Sequence, residues 1–153
     1  MTRTKTTKPR HILVIEARFY DDNADQLLKG ASRALKKAGA TSETVTVPGI
    51  LELPAALKFA FTGKARRTFS GAVVLGCAVK GETDHYEHVC RESMSGVGRV
   101  ALEHDIPLGN GILTCPTWAL AEARADPDGD DDVGGRAARA CLRMIELKRR
   151  FGL

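Results

Sequence analysis

The chain has 153 residues, 43% hydrophobic and 27% charged, which is typical of one globular domain with a single core and excludes a large multidomain protein. Its net charge of +4 is unevenly spread: residues 1–10 and 136–153 are basic, residues 126–132 contain five aspartates, and the remainder is neutral. Because the body of the chain carries no net charge and no nucleic-acid-binding motif, we expect no nucleic-acid partner. It has no run of 18 apolar residues, so we expect no membrane partner either.

The first half of the chain predicts two strand–helix pairs. Residues 11–16 form a short apolar stretch typical of a strand, and residues 22–37 carry apolar side chains at helical spacing. Gly39 follows at the position where many helices end with a left-handed backbone. A second strand is predicted over residues 43–47, and a Pro-Gly turn then leads into a predicted helix over residues 52–61.

The second half continues the alternation. Residues 72–79 are the most continuous apolar run and predict a central strand buried on both faces. A long helix is predicted over residues 86–103, followed by a strand over residues 106–113 whose two glycines indicate a close backbone approach. A short helix is predicted over residues 116–124, with Pro116 at its first position, and a last helix is predicted over residues 136–150. An Asp/Gly-rich loop lies between them.

This order of elements predicts an α/β fold. With right-handed crossovers it gives a flavodoxin-like three-layer α/β/α sandwich with a four-stranded parallel sheet. We divide the chain into a basic N-terminal tail over residues 1–10 and a single domain over residues 11–153. Ligands of such sheets bind at the carboxyl ends of the strands, so candidate site residues are sought there.

Residues 80–85, with the sequence KGETDH, lie between the third predicted strand and a predicted helix. Free backbone N–H groups at a helix start, with Lys80 nearby, can hold a phosphate. His85 can exchange a proton with a substrate beside that phosphate, because imidazole titrates near neutral pH. The alternative interpretation is an ordinary helix start capped by Thr83 or Asp84.

Other candidate residues also have a plainer interpretation. Phe19 and Leu51 follow the first two predicted strands, but both are apolar, so a place in the core is the alternative to a ligand contact. Glu52 stands at a helix start, where its charge alone stabilises the helix N-terminus. Trp118, the single tryptophan, either anchors the short helix or lies at a subunit interface.

The four cysteines contain no C-x-x-C pair, which argues against a zinc ribbon or a thioredoxin-like site. They are Cys77, Cys90, Cys115 and Cys141. We interpret each as a small buried hydrophobic residue. His85 and His88 do not share a helical face with Cys90, so we expect no metal. The N-terminus does not resemble a signal peptide, which favours the cytoplasm.

Taken together, several segments resemble the lumazine synthase family of riboflavin biosynthesis. The segments are EARFY at 16–20, LLKGA at 27–31, VPGILELP at 47–54, GCAVKGETDHY at 76–86 and GILT at 111–114. The pairing of VPGxxExP with KGETxH is specific, whereas no single segment is. The resemblance implies a transferase that condenses 5-amino-6-(D-ribitylamino)uracil with 3,4-dihydroxy-2-butanone 4-phosphate. The products would be 6,7-dimethyl-8-ribityllumazine, phosphate and water, with no cofactor or metal.

The resemblance also implies roles for residues at matching positions. Those facing the pyrimidine and ribityl chain are Phe19, Leu51, Glu52, Cys77, Ala78, Val79 and Asn110. Those binding the phosphate are Lys80, Gly81, Glu82, Thr83 and Arg124. His85 is the implied proton-transfer residue. In this family a neighbouring subunit of a pentamer completes the pocket. Here Asn110 stands where many members carry a phenylalanine, and Arg124 stands at or near an arginine that reaches across to the phosphate.

The departures from the family are concentrated between residues 115 and 133. Its usual Asn-Lys-Gly reads Asp132-Val133-Gly134 here, so a lysine is missing, and five aspartates occupy the same loop. Because aspartates repel a phosphate, we expect an active enzyme with a raised KM for the butanone phosphate. The resemblance shows two further departures: the loop is about one residue longer than usual, and residues 116–121 read PTWALA where the family usually has an acidic-amide E-Q-A helix. These departures favour a pentamer over a sixty-subunit shell.

A different class of function uses the same fold. A catalytically weak relative can bind riboflavin or the lumazine as a carrier or sensor, with Phe19 as a stacking platform. The intact residues 81–85 argue against this alternative, because a pure binder needs no proton-transfer residue.

Overall fold

The computed structural model describes residues 9–153, and residues 1–8 of the predicted basic tail lie outside the described residues. The elements in chain order are β1 (His11–Ala17), α1 (Asp21–Lys37), β2 (Thr41–Val47), a 3₁₀ turn (Ile50–Glu52), α2 (Leu53–Thr62), β3 (Gly71–Val79), α3 (His85–Glu103), β4 (Leu108–Cys115), α4 (Trp118–Ala125) and α5 (Val133–Arg150). Every predicted helix and strand is present, in the predicted order.

The four strands form one parallel sheet in the order β2-β1-β3-β4. This confirms the predicted flavodoxin-like arrangement. The connection after β1 leads outward to β2, whereas the connection after β2 crosses back to β3 on the other side of β1. Helices that follow these two connections leave a crevice at the carboxyl ends of β1 and β3, where open α/β sheets bind their ligands.

Side chains of the sheet enter two apolar cores, one on each face. Along β1, Ile12 and Val14 face a core shared with α1, α4 and α5, whereas Leu13 and Ile15 face a core shared with α2 and α3. This division follows from the period of two along a strand. In β3, residues 71–77 are all buried, as the sequence predicts for a central strand. Among residues 9–153, no helix has the length and apolar character needed to cross a membrane.

The glycines of β4 allow α5 to lie close to the sheet. A Cβ on Gly109 would overlap the carbonyl oxygen of Ala137 in α5, and one on Gly111 would overlap the side chain of Leu75 in β3. The predicted close backbone approach is therefore confirmed at Gly109, whereas the nearest atom at Gly111 belongs to a side chain. The approach places the N-terminal half of α5 directly against the end of the sheet that β4 forms.

Several predicted boundaries are wrong, most of them after residue 105. The fourth strand is Leu108–Cys115 instead of 106–113. The helix after it does not begin at Pro116, because Thr117 is the N-cap and its hydroxyl accepts a hydrogen bond from the Leu120 N–H at 3.3 Å. The last helix begins at Val133 instead of 136, because Asp132 caps it by accepting from the Gly135 N–H at 3.1 Å. Side-chain caps therefore decided both helix starts.

Candidate active site

A cavity of about 450 Å³ opens at the carboxyl ends of β1, β2 and β3; it is called the strand-end pocket below. It is lined by Phe19, Tyr20, Pro48, Gly49, Ile50, Leu51, Glu52, Cys77, Ala78, Val79, Gly81, Thr83, His85, Tyr86 and Val89. The lining comes from three loops, the end of β3 and the first turns of α3. Nine of these residues were predicted to contact substrate.

The register of the sheet leaves part of the β3 backbone without a strand partner. β1 pairs with β3 only as far as Leu75, whereas β4 pairs with β3 up to Val79. Within residues 9–153, the stretch 76–79 therefore has strand partners on its β4 side only. Backbone N–H and C=O groups on the other side are free to bind a ligand. This geometry supplies a physical reason for the backbone contacts expected of Cys77, Ala78 and Val79.

The wall formed by β3 is apolar. Cys77 is buried, and Ala78 and Val79 are partly buried. Burial raises the pKa of the Cys77 thiol to about 12, with smaller contributions from Cys115 and Cys90. Burial therefore favours the neutral thiol, which is a weak nucleophile, at physiological pH. The predicted burial holds for Cys77, Cys115 and Cys141, whereas Cys90 is only partly buried.

Phe19 and Leu51 are not core residues. Phe19 is 73% exposed and Leu51 is 48% exposed, and both line the strand-end pocket. The Phe19 ring meets Tyr20 edge to face at 5.0 Å, and Tyr20 in turn meets Trp118 at 4.7 Å. The alternative that places Phe19 and Leu51 in the core is wrong. The contact with Tyr20 fits the interpretation of Trp118 as an anchor between α4 and the β1–α1 turn, whereas its place at a subunit interface stays a prediction.

The start of α3 presents polar groups to the pocket. Residues 80–85 are exposed, and the N-cap residue Asp84 makes no side-chain capping hydrogen bond. The hydroxyl of Thr83 accepts from the His85 N–H at 3.4 Å, which is a long hydrogen bond. The interpretation as an ordinary capped helix therefore rests on this one weak contact. His85, the first residue of α3, lies with Gly81 and Thr83 in the pocket wall.

Two pocket residues were missed by the sequence prediction at this helix. Tyr86 and Val89 line the pocket one position and one turn after His85, so helical periodicity could have identified Val89. Burial raises the pKa of the Tyr86 phenol, and the nearby Cys90 raises it further, whereas Thr114 opposes that shift. Tyr86 therefore stays protonated and able to donate a hydrogen bond. The turn residues 48–50 and Tyr20 complete the set that was missed.

Four predicted site residues do not line this pocket. Lys80 and Glu82 belong to the same exposed loop as Gly81. Asn110 lies midway along β4, where its amide oxygen accepts from the Ile112 N–H at 2.9 Å and its amide nitrogen lies 3.5 Å from the Met94 sulfur. Arg124 is exposed on α4 and lines a different cavity. A single chain thus brings together the motif residues but neither Asn110 nor Arg124.

A second cavity of about 260 Å³, called the β4 cavity below, lies between the end of β4 and helices α4 and α5. It is lined by Ile112, Leu113, Thr114, Arg124, Asp131, Val133 and Arg136. Burial raises the pKa of the adjacent Cys115 thiol, and the Arg124 guanidinium opposes that shift, which places the arginine next to the end of β4. Asp131 lies 3.7 Å from Arg136.

The aspartates of residues 126–132 are largely engaged within the chain. Asp128 pairs with Arg33 at 2.8 Å, and Asp132 caps α5 and lies 3.8 Å from Arg139. Asp126 accepts from the Asp128 N–H at 2.9 Å. The loop is therefore less repulsive toward a phosphate than its sequence predicts, because local arginines offset much of its charge.

Residues 9–149 match the family described as 6,7-dimethyl-8-ribityllumazine synthase. A protein of that name from Paramagnetospirillum magneticum is 50% identical over 146 residues, which cover 93% of this chain and 97% of the relative. The 6,7-dimethyl-8-ribityllumazine synthase 1 of Rhizobium meliloti is 50% identical over 147 residues, 95% of each chain. A relative from Bartonella tribocorum is 46% identical over 152 residues, 99% of this chain and 98% of the relative.

Proposed function

Because this chain belongs to the 6,7-dimethyl-8-ribityllumazine synthase family, we propose that the strand-end pocket is where its reaction takes place. The chain is an enzyme of riboflavin biosynthesis. It condenses 5-amino-6-(D-ribitylamino)uracil with 3,4-dihydroxy-2-butanone 4-phosphate to give 6,7-dimethyl-8-ribityllumazine, phosphate and water. The carrier or sensor alternative is not favoured, because near relatives over almost the whole chain bear the synthase name.

One observation carries the proposed placement of the substrates: a single pocket combines an apolar, aromatic wall with a polar helix start. Phe19 and the β3 stretch 77–79 suit a flat pyrimidine, whose polar edge can bind the unpaired β3 backbone. Leu51 and Glu52 lie beside them, where they can follow the ribityl chain. Gly81 lies in the polar part of the pocket wall, near the N-terminus of α3.

The second substrate binds through its phosphate in this proposal. Backbone N–H groups of residues 81–83 and the N-terminus of α3 offer hydrogen bonds and a positive dipole. Lys80 adds a full positive charge to the same exposed loop. Glu82 contributes its backbone, because its carboxylate would repel the phosphate. The ketone of the bound substrate then lies near His85.

The chemistry requires proton transfers and no nucleophile from the protein. The pyrimidine amine attacks the ketone and a first water leaves to form a Schiff base. Phosphate is then eliminated, and the resulting enol becomes a ketone by moving a proton from oxygen to carbon. The second amine attacks this ketone, and loss of a second water closes the ring. Each step moves a proton between nitrogen, carbon or oxygen atoms, and His85 carries these protons in this proposal, because it lines the pocket near the phosphate-binding loop. Holding the two substrates side by side supplies most of the remaining acceleration. The proposal requires neither a cofactor nor a metal.

We also propose a pentamer whose active sites are shared between neighbours. Asn110 and Arg124 lie outside the chain's own strand-end pocket, and both are exposed on one chain. A neighbour that docks its β4 and α4 against the pocket would bring both residues to the substrates. We do not propose a sixty-subunit shell, because the Asp/Gly-rich loop after α4 departs from the family's usual sequence. The cytoplasmic location stays a prediction from the sequence.

In this proposal, the missing lysine weakens the binding of the phosphate group of the butanone substrate. Val133 lines the β4 cavity beside Arg124, so the substitution falls on the surface that would meet the neighbour's phosphate. Asp131 lies in the same wall. We therefore propose a raised KM for the butanone phosphate with an unaltered reaction, and the internal pairing of the other aspartates limits the size of this effect.

Mixing the two substrates with the purified chain tests the proposed function. Product formation is followed by the absorbance and fluorescence of the lumazine, with the spontaneous reaction as the blank. A rate clearly above the blank that saturates in both substrates supports the enzyme. Tight riboflavin binding with no product above the blank would instead support the carrier.

A further inference from the structure

Phe19 lies in an exposed turn, and its side chain makes few contacts that would fix the conformation of that turn. The ring is 73% exposed, and its one aromatic contact among the described residues is with the adjacent Tyr20. An exposed ring on the three-residue turn 18–20 samples many positions unless the backbone on each side is fixed. Tyr20 fixes the α1 side through Trp118. The β1 side requires a separate anchor.

Arg18 supplies contacts of the kind such an anchor needs. Its Nε donates to Glu16 Oε1 at 2.9 Å, one terminal nitrogen donates to Asp21 Oδ1 at 3.3 Å, and the other donates to Asp25 Oδ1 at 2.5 Å. Its backbone N–H donates to the Val47 carbonyl at 3.1 Å. One side chain therefore ties the end of β1 to the first turns of α1, across the turn that carries Phe19.

The buried member of this group is Glu16. Its side chain is 5% exposed, and its Oε1 also accepts from the Thr46 hydroxyl of β2 at 3.0 Å. Oε2 is buried without a hydrogen bond from any residue described in 9–153. A buried carboxylate that is only half satisfied costs stability, and an apolar side chain would serve the core better. The cost is explained if Glu16 holds the guanidinium of Arg18 in place.

The charges of the group keep Arg18 in this position. The hydrogen bonds to Glu16 and Asp25 raise the pKa of Arg18 above its ordinary value. Asp21 and Asp25 are exposed, so their separate contributions are small, whereas the buried Glu16 contact is shielded from solvent. The fork shape of the guanidinium allows all three carboxylates to be bound at once, which a lysine cannot do.

Resting on the proposed function, we propose that Arg18 is a positioning residue for the pyrimidine substrate. Together with Glu16 and Thr46 it forms a clamp that holds the β1–α1 turn, so that Phe19 is already in place when the pyrimidine arrives. Neither Arg18 nor Glu16 lines the strand-end pocket, so the clamp acts through Phe19 and touches no substrate. Preorganisation of this kind lowers the cost of binding and does not alter the chemistry.

A double-mutant cycle with Phe19 tests the clamp. Arg18→Met keeps the aliphatic stem and removes the fork, and we expect it to raise the KM for the pyrimidine roughly tenfold. The KM for the butanone phosphate should not change. In a Phe19→Leu background, the same change should raise the pyrimidine KM less than about twofold, because the residue through which it acts is gone. Arg18→Lys should recover only part of the loss.

The matched control is Arg143→Met, which removes an exposed ion pair with Glu146 within α5, a helix outside the pocket lining. It should leave both KM values unchanged. Should Arg18→Met fail to fold by circular dichroism, Thr46→Val tests the same clamp by removing one donor to Glu16, with a smaller rise in the pyrimidine KM. An unchanged pyrimidine KM, or an equal rise with and without Phe19, would overturn the proposal.

A wild-type chain that forms no lumazine would count against the proposed function and not against the clamp. The clamp is then read from the fluorescence of Trp118, the single tryptophan, since Tyr20 links the turn to it. Arg18→Met should change the Trp118 emission, and Arg143→Met should not. Identical emission in wild type and Arg18→Met would sink the clamp without reference to catalysis.

Discussion

The strand-end pocket and the β4 cavity differ in how the chain builds them. The pocket is formed by residues close to one another in motifs, each placed at the end of a strand, and its lining is mostly apolar. The β4 cavity draws on β4, α4, the aspartate loop and α5, and it places Arg124 and Arg136 beside Asp131. The motifs on which the resemblance rests line the pocket, whereas Val133 and Asp131 of the divergent loop line the cavity.

Substitutions in the two regions should therefore have different consequences: those in the pocket should alter the reaction or pyrimidine binding, and those in the cavity should alter the affinity for the phosphate. In the pocket, Phe19 and His85 would contact the two reacting molecules directly, so changes there affect turnover or pyrimidine binding. In the cavity, Val133 and Asp131 would act only through the charge they present to a neighbour's phosphate. Such surface charges contribute modestly because solvent screens them. The two regions therefore predict effects of different size and on different kinetic constants.

The largest expected effect is in the pocket. His85→Ala should lower kcat about 10²-fold, the low end for loss of general acid–base catalysis, because substrate proximity is retained. Both KM values should change little. Steady-state kinetics in both substrates measure this, and His88→Ala, on the same helix but outside the pocket lining, is the control. A full wild-type kcat in His85→Ala would remove the functional distinction between the two regions.

A smaller effect is expected in the β4 cavity. Val133→Lys should lower the KM for the butanone phosphate about fivefold, since one exposed charge-assisted hydrogen bond contributes about 1 kcal/mol. The KM for the pyrimidine and kcat should stay as in wild type. The same kinetic assay provides the measurement, with Val133→Met as a control of similar length without charge. Equal KM values for the phosphate substrate in all three proteins would show that this position does not reach the phosphate.

The smallest expected effect is at Asp131. Asp131→Asn removes one negative charge from the cavity wall and frees Arg136, which lies 3.7 Å away. The KM for the butanone phosphate should fall about twofold, and the change should shrink as salt is added, because both groups are exposed. Asp128→Asn, which breaks a pair with Arg33 outside the cavity lining, should leave this KM unchanged. A larger effect at Asp128 than at Asp131 would contradict the account.

The sequence predicted the pocket better than the cavity for a physical reason. Strands β1 and β3 are continuous apolar runs whose ends fix the positions of Phe19 and of residues 77–85, so motif and fold agree. The cavity depends on two helix starts set by side-chain caps, Thr117 and Asp132. From its composition, this stretch is predicted to be a loop up to residue 135. The cap at Asp132 has a left-handed backbone, and it depends on the packing of α5 against α1, which composition does not reveal.

The ion pairs between the loop aspartates and arginines likewise could not be predicted from the sequence. Arg33 lies on α1, far along the chain from Asp128, and only the packing of α1 beside α5 brings the two together. The role of Glu16 was also missed, because a carboxylate at the end of an apolar strand is ordinarily exposed. Its burial becomes visible only once Thr46 of β2 and Arg18 are placed around it.

In the proposed pentamer, one active site joins the strand-end pocket of one chain to the β4 cavity of its neighbour. Mixing two impaired variants tests it most directly: His85→Ala alters only the pocket, and Arg124→Ala alters only the cavity. After the two are unfolded, mixed equally and refolded, light scattering should give the mass of five chains. Lumazine formation should recover to roughly a quarter of the wild-type rate, because random assembly in a ring pairs an intact pocket with an intact cavity at that frequency. A mixture no faster than the mean of the two variants would contradict the shared site.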